Sequence, residues 1–191
     1  LSESLPRGKA RKVRPLSEHV TALLDGLETG VAPSKYWGVP QIDAQTQGIA
    51  LGELVIIGAR PSHGKSLLGL QWLLEASGKG IPSLMISEEM AAISLASRAL
   101  SAVTCIPSEQ WMANLCQVRF DSNEHFTSKA PIMIAEKCGT VSAVERAIEW
   151  AVRTHGVKLV AVDYAQLIRG SGENKEQRVG DVSTRMKNAA I

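Results

Sequence analysis

Cysteine, histidine and long apolar runs are all scarce in this sequence of 191 residues. The three cysteines (Cys105, Cys116 and Cys138) are an odd number and lack metal-ligand spacing. The four histidines are scattered, and no two of them have the spacing of a ligand pair. These patterns argue against a disulfide framework and against a structural metal site. We therefore expect free, buried thiols in a reducing compartment.

The sequence also lacks a membrane span and a strong overall charge. No apolar run approaches the length of a bilayer-spanning helix, and the first residues do not form a secretory signal. We therefore expect a cytoplasmic protein with one domain and an appendage. Residues 1–15 hold five basic side chains and one acidic one, and the remainder holds 16 basic and 18 acidic ones. Composition thus favours a solvated N-terminal linker and predicts no generally basic surface for nucleic acid.

The most informative stretch reads Ala-Arg-Pro-Ser-His-Gly-Lys-Ser. An apolar run at 54–58 precedes it and predicts a strand, and a helical pattern follows it at 67–74. A tight loop between a strand and a helix forms a cradle for phosphate, because loop N–H groups and the helix dipole converge on an anion. Ala59 replaces the first glycine of the usual pattern, and its small side chain still suits the turn. The predicted phosphate-binding residues are Ala59, Arg60, Pro61, Ser62, His63, Gly64, Lys65 and Ser66.

Strands and helices alternate along the rest of the chain. The sequence predicts strands at 82–87, 131–135 and 159–162, and helices at 16–28, 91–103, 109–115, 140–154 and from about 177 onward. Residues 37–52 read as loop-rich, and residues 117–130 read as polar and irregular. This alternation predicts an α/β fold with a mostly parallel sheet and helices on both faces. Ligands of such sheets bind at the carboxyl ends of the strands.

That rule places two acidic motifs on the same edge as the cradle. Asp163 ends an apolar run and is suited to hold Mg²⁺ opposite the Ser66 hydroxyl, while Lys65 would bind the β- and γ-phosphates. A glutamate that ends the neighbouring strand could orient and deprotonate water, and the residues alone leave Glu88 and Glu89 as alternatives. Apart from Mg²⁺ bound with a nucleotide, we expect no metal.

Taken together, these motifs resemble the C-terminal RecA-type domain of DnaB-like replicative helicases. The resemblance rests on residues 59–66, on Ser87-Glu88-Glu89-Met90 and on Asp163-Tyr164-Ala165-Gln166-Leu167. It implies a RecA-like P-loop ATPase core at 31–191, preceded by a linker and subunit-docking helix at 1–30. It also implies that Glu89 is the catalytic base and that Glu88 stands where the family has leucine. Gln166 would couple the state of the γ-phosphate to the side of the domain that faces DNA. Without the resemblance, Gln166 reads equally well as a turn amide.

The resemblance implies an ATP- and Mg²⁺-dependent helicase motor that moves along single-stranded DNA as a hexameric ring. The expected partners are single-stranded DNA, further copies of the chain through the helix at 16–28, and primase or a helicase loader. The alternatives are a RecA-like recombinase or regulatory ATPase, and a nucleotide-binding interaction module without turnover.

The resemblance also implies that important parts lie beyond Ile191. In the family a further strand follows there and inserts between the Asp163 strand and the cradle strand. The arginine finger and the DNA-binding loops come after it. We therefore expect the 191 residues to be incomplete at the C-terminus and weak or inactive as an ATPase on their own.

Overall fold

The computed structural model describes residues 15–28, 39–46, 48–49, 52–60, 62–129, 131–163 and 175–189. The chain divides into two compact units, Leu1–Ser34 and Lys35–Ile191. The first unit contains helix α1, Leu16–Glu28, which matches the prediction. The side chains of Leu16, Val20 and Leu24 recur at intervals of four on this helix and are exposed.

The second unit contains the sheet and the remaining helices. Its elements are α2 Pro40–Thr46, α3 Lys65–Gly78, β1 Ser83–Ser87, α4 Ala92–Thr104, α5 Leu115–Ser128, β2 Ile132–Glu136, α6 Val141–His155, β3 Leu159–Asp163 and α7 Lys175–Ala189. In the described part of the chain, no helix is long and apolar enough to cross a membrane.

The three strands form a parallel sheet in the order β2-β1-β3. Ser87, at the end of β1, is in register with Glu136 on one side and with Asp163 on the other. All five residues of β1 are buried, because this strand has a neighbour on each side and helices on each face. The register brings the ends of all three strands to one edge.

Helices cover both faces of this sheet, as the sequence predicts. Met85 of β1 packs with Leu73 of α3 and Leu95 of α4 on one face. Leu84 and Ile86 point to the other face, into a cluster with the α6 residues Val144 and Ile148 and the α7 residue Val182. The alternation along β1 follows from the period of two in a strand.

Helix α6 shows how local sequence signals set an element's limits. The Thr140 side chain accepts a hydrogen bond from the Ala143 N–H, over 3.3 Å, and caps the first turn. Gly156 ends the helix in the left-handed conformation, with φ 65°, which glycine adopts without steric cost. Both are local signals that can be read in the sequence, and the helix predicted at 140–154 is confirmed.

The predicted strand at 54–58 is not formed. These residues are described, but they carry no ladder hydrogen bonds, and the side chains of Ile56 and Ile57 are exposed. A strand needs a neighbour with which to exchange backbone hydrogen bonds. Among the described residues, β3 has a partner on the β1 side alone. Residues 54–58 therefore have the composition of a strand, but among the described residues they have no neighbouring strand with which to pair.

Three smaller predictions are also wrong. Helix α5 occupies much of the stretch read as irregular, whereas 109–115 begins with a 3₁₀ turn at Ser108–Gln110. The stretch at 37–52, predicted to be loop-rich, additionally contains the short helix α2. All three cysteines are free, but Cys105 and Cys116 are exposed rather than buried. Cys105 follows α4 in the left-handed conformation, with φ 55°, and Cys116 lies in the first turn of α5.

Candidate functional site

Helix α3 runs antiparallel to the strands. A Cβ placed on Gly69 would lie 4.0 Å from the Ala161 Cβ, and one placed on Gly78 would lie 4.0 Å from the Lys129 Nζ, just before β2. The C-terminal end of α3 therefore lies where the strands begin, and only residues 79–82 separate it from β1. Since α3 has 14 residues and rises about 1.5 Å per residue, its N-terminus reaches the edge where the strands end.

The loop before α3 has the backbone shape of an anion cradle. Ser62 and Gly64 have positive φ values of 63° and 81°, and the His63 N–H donates to the Arg60 carbonyl over 3.3 Å. The first helical hydrogen bond runs from the Leu68 N–H to the Gly64 carbonyl. The N–H groups before it have no acceptor within the helix and are available to a ligand. Among the described residues, a Cβ added at Gly64 would meet nothing within 4 Å, so the space beside Gly64 is open.

The Lys65 amine lies over this loop. Its Nζ donates to the carbonyl oxygens of Ala59 and Arg60, over 3.3 and 3.5 Å. These two contacts hold the positive charge at the cradle, and an anionic phosphate would be a stronger acceptor than either neutral carbonyl. Arg60 and His63 are exposed at the rim, whereas Lys65 and Ser66 are partly buried.

Asp163 is buried at the end of β3, with 5% of its surface exposed. Its Oδ2 atom is buried and has no hydrogen-bond partner among the residues that the structure describes. A buried carboxylate oxygen without a partner is costly unless a cation or an ordered water completes it. Mg²⁺, which prefers oxygen ligands and keeps several waters, fits this atom and the Ser66 hydroxyl.

A closed turn after β1 carries the two glutamates. The Ser87 hydroxyl is fully buried; it donates to the Met90 carbonyl over 2.8 Å and accepts from the Met90 N–H over 3.0 Å. Glu89 lies at the tip of this turn and is exposed. Glu88 is partly buried, and its carboxylate accepts from the Gly139 N–H, beyond the end of β2. The Glu88 carboxylate thus lies on the β2 side of β1, whereas Asp163 lies on the β3 side.

The structure therefore brings most of the predicted site to one edge of the sheet. The cradle with Lys65 and Ser66, the buried Asp163 and the turn with Glu89 all lie where the strands end. Pro61 and Gln166 lie outside the described residues.

Sequence reasoning missed two groups that shape this edge. The Glu136 carboxylate, at the end of β2, accepts the Ala92 N–H over 2.6 Å and so caps α4, whose N-cap residue Ala91 has no side-chain acceptor. The Gly139 N–H holds Glu88. Both contacts join segments more than forty residues apart, over 44 and 51 positions. No local pattern could have indicated them, because they depend on the order of the strands.

Comparisons with protein-family models and with curated proteins both match DnaB-like helicases over most of the chain. The family model for the DnaB-like helicase C terminal domain matches residues 36–191. The replicative DNA helicase DnaB of Leifsonia xyli subsp. xyli is 29% identical over 180 residues, which are 88% of this chain and 39% of that protein. The replicative DNA helicase DnaB of Helicobacter pylori is 32% identical over 166 residues, 80% of this chain and 33% of that protein. The chain therefore spans between a third and two-fifths of these relatives.

Solved structures share the fold. A DnaB-like replicative helicase, studied with its interactions with primase, superposes with a TM-score of 0.74 over 96% of this chain and 47% of its own, at 20% identity. A solved ATPase domain gives a TM-score of 0.78 over 94% of this chain and 68% of its own, also at 20% identity. The parallel sheet with helices on both faces is thus the RecA-like fold of helicase ATPase domains.

Proposed function

Because the chain belongs to the family of DnaB-like helicase C-terminal domains, we propose that it is the ATP-driven motor portion of a replicative DNA helicase. The observation that carries this proposal is the meeting of three elements at one edge of the sheet. The open cradle at the α3 N-terminus, the buried Asp163 carboxylate and the Glu89 turn come from distant parts of the chain. A triphosphate with its Mg²⁺ would satisfy all three at once.

Each residue then has a distinct role. The loop at residues 59–66 binds the β- and γ-phosphates of ATP through backbone N–H groups at the start of α3 and through the Lys65 amine, which leaves its loop carbonyls. The Ser66 hydroxyl and the Asp163 carboxylate would hold Mg²⁺, which would supply positive charge to neutralise the phosphates. Glu89 orients the attacking water and accepts its proton. Gln166 transmits the state of the γ-phosphate toward the DNA.

The partners follow from the same assignment. The motor moves along single-stranded DNA. Copies of the chain form a six-membered ring in which α1 docks on a neighbouring copy. The exposed apolar stripe of Leu16, Val20 and Leu24 supports that docking, since such a stripe is stabilised by burial. Primase or a helicase loader is the further partner, and the cytoplasm is the compartment.

The proposal is tested first by nucleotide binding. The affinity for a fluorescent ATP analogue is measured with and without Mg²⁺ for the unaltered chain, for Lys65→Ala and for Lys79→Ala. Lys79 lies at the other end of α3 and serves as the control. Lys65→Ala is expected to weaken binding about tenfold or more, because a charge-assisted hydrogen bond is lost. Equal affinity of all three proteins, or no binding by the unaltered chain, would contradict the proposal.

A second experiment tests the motor role. A chain extended past residue 191 is expected to assemble as a hexamer and to hydrolyse ATP faster when single-stranded DNA is added. Hydrolysis that does not respond to DNA would favour a regulatory ATPase. Binding without hydrolysis would favour an interaction module.

A further inference from the structure

The Glu88 carboxylate connects the turn after β1 to the loop after β2. Both of its oxygens accept from the Gly139 N–H, over 3.0 Å to Oε2 and 3.3 Å to Oε1, in a partly buried setting. A second hydrogen bond joins the same two segments, from the Lys137 N–H to the Ser87 carbonyl over 2.9 Å. The loop of residues 137–139 is therefore attached at two successive residues, Ser87 at the end of β1 and Glu88 directly after it.

The backbone of this loop is shaped for that contact. Lys137 and Gly139 have positive φ values of 49° and 69°. A lysine in the left-handed region is uncommon and is retained where surrounding contacts compensate its cost. The hydrogen bond from the Lys137 N–H to the Ser87 carbonyl compensates the conformational cost at Lys137. The Glu88 carboxylate accepts the hydrogen bond from the Gly139 N–H.

Glu88 is also attached on its other side. Its own N–H donates to the Asp163 carbonyl over 2.7 Å, so its main chain is bound to β3 while its side chain is bound beyond β2. The next residue is Glu89, and the Ser87–Met90 hydrogen bonds close the turn around both. A displacement of Glu88 would therefore be passed directly to the backbone that carries Glu89.

We propose that Glu88 is a positioning residue for Glu89, and that its hydrogen bond from Gly139 holds the Glu89 turn in the geometry that hydrolysis needs. This role rests on the proposed function, in which Glu89 acts on the attacking water. It requires an acceptor at position 88, since an apolar side chain such as leucine cannot accept the Gly139 N–H. Burial and the Glu88 carboxylate together raise the pKa of the Cys138 thiol, which agrees with a carboxylate directed at this loop.

The test compares three variants with the unaltered chain. Glu88→Leu removes the acceptor, Glu88→Gln retains an oxygen acceptor without the charge, and Glu149→Leu changes an exposed glutamate on α6 as the control. Three quantities are measured: amide hydrogen exchange at Gly139, the Kd of an ATP analogue and, in the chain extended past residue 191, the rate of ATP hydrolysis in a single turnover with excess protein. Thermal unfolding verifies that each variant is folded, and Glu88→Ala replaces Glu88→Leu if the latter is not.

Glu88→Leu is expected to speed exchange at Gly139 about tenfold or more, since a hydrogen bond to a charged acceptor is lost. It should slow hydrolysis about tenfold or more, because a small misplacement of a reacting group is costly. The Kd should stay within about twofold, since the cradle is intact. Glu88→Gln should restore exchange and hydrolysis to within about threefold of the unaltered chain, because its amide oxygen still accepts the N–H.

The outcomes separate this role from the proposed function. Hydrolysis by Glu88→Leu at the rate of the unaltered chain, or unchanged exchange at Gly139, would overturn the positioning role and leave the ATPase assignment in place. A parallel loss of hydrolysis and of nucleotide binding would also overturn it, since that would indicate general damage. An unaltered chain that binds no nucleotide would contradict the proposed function, and this role would fall with it.

Discussion

Ser87 lies opposite Asp163 in the parallel pairing of β1 and β3, and the N–H of the residue after Ser87 donates to the Asp163 carbonyl over 2.7 Å. The pairing brings two acidic motifs together that are far apart in the sequence. The two glutamates that follow Ser87 differ in their surroundings. The Glu88 side chain is directed to the β2 side, and Glu89 is left exposed at the tip of the turn.

The catalytic assignment predicts a specific behaviour for Glu89→Gln. The amide cannot accept a proton from water, so hydrolysis should fall by about 10²-fold or more, the usual contribution of a general base. Nucleotide affinity should not change, because the cradle and Asp163 are untouched. Single-turnover hydrolysis by the chain extended past residue 191 and binding of an ATP analogue measure the two effects. Normal hydrolysis by this variant would show that Glu89 is not the base.

Asp163→Asn should separate Mg²⁺ dependence from folding. The unaltered chain is expected to bind an ATP analogue more tightly as Mg²⁺ is added, and the variant should lose most of that gain. The melting temperature should be unchanged or higher, because the variant no longer buries a carboxylate oxygen without a partner. An Mg²⁺ titration and a thermal melt test both. Retention of the full Mg²⁺ effect would contradict a metal-binding role for Asp163.

Leu73→Ala tests the packing that holds α3 against the sheet. Leu73 is fully buried with Met85 and Leu95, and its truncation should lower the free energy of unfolding by about 2–5 kcal/mol. Leu67→Ala on the same helix is the control, since half of that side chain is already exposed. Urea unfolding of both variants gives the comparison. Equal stability of the two variants would mean that the Leu73 cluster is not a packed core.

Thiol reactivity offers a probe of the Glu88 environment. Burial, and then the Glu88 carboxylate, raise the pKa of the Cys138 thiol. Less thiolate is present at pH 8, so Cys138 should be alkylated more slowly than the exposed Cys105. Glu88→Gln should speed alkylation of Cys138 and leave Cys105 unchanged, as followed by mass spectrometry. An equal rate of Cys138 alkylation in both proteins would show that the Glu88 charge does not act on this thiol.

His125 should make stability dependent on pH. Burial, and then the Lys129 amine, lower the pKa of His125 below its ordinary value of 6.5, although Glu75 opposes the effect. Well above pH 6.5, neither the folded nor the unfolded state is appreciably protonated at this site. As the pH falls below 6.5, the unfolded state takes up the proton more readily, so the free energy of unfolding decreases.

Urea unfolding between pH 7.5 and 5.5 measures this dependence for the unaltered chain and for His125→Gln, which cannot be protonated. The variant should lose less stability on acidification. His155→Asn on α6 is measured beside it as an exposed histidine. An identical loss in the unaltered chain and in His125→Gln would contradict the prediction.

The elements that the sequence predicted well carry their own local signals. Helix α6 has a capping threonine, an apolar stripe and a terminal glycine, and β1 is a short apolar run between turn residues. Helix α5 was missed because it has no such stripe; Val118 is buried, whereas Phe120 and Phe126 are exposed. The strand predicted at 54–58 is not formed. Its composition suits a strand, but the described residues offer it no neighbouring strand.

The sequence by itself determined the alternation of strands and helices, the phosphate cradle and the family, because each of these depends on neighbouring residues or on motifs that can be read along the chain. The tertiary structure alone decided the order of the strands, the burial of Asp163 and the attachment of Glu88 to Gly139. Those features depend on hydrogen bonds between segments that are distant in the chain, and the free energy of such contacts is set by the packing of the whole sheet rather than by any local pattern.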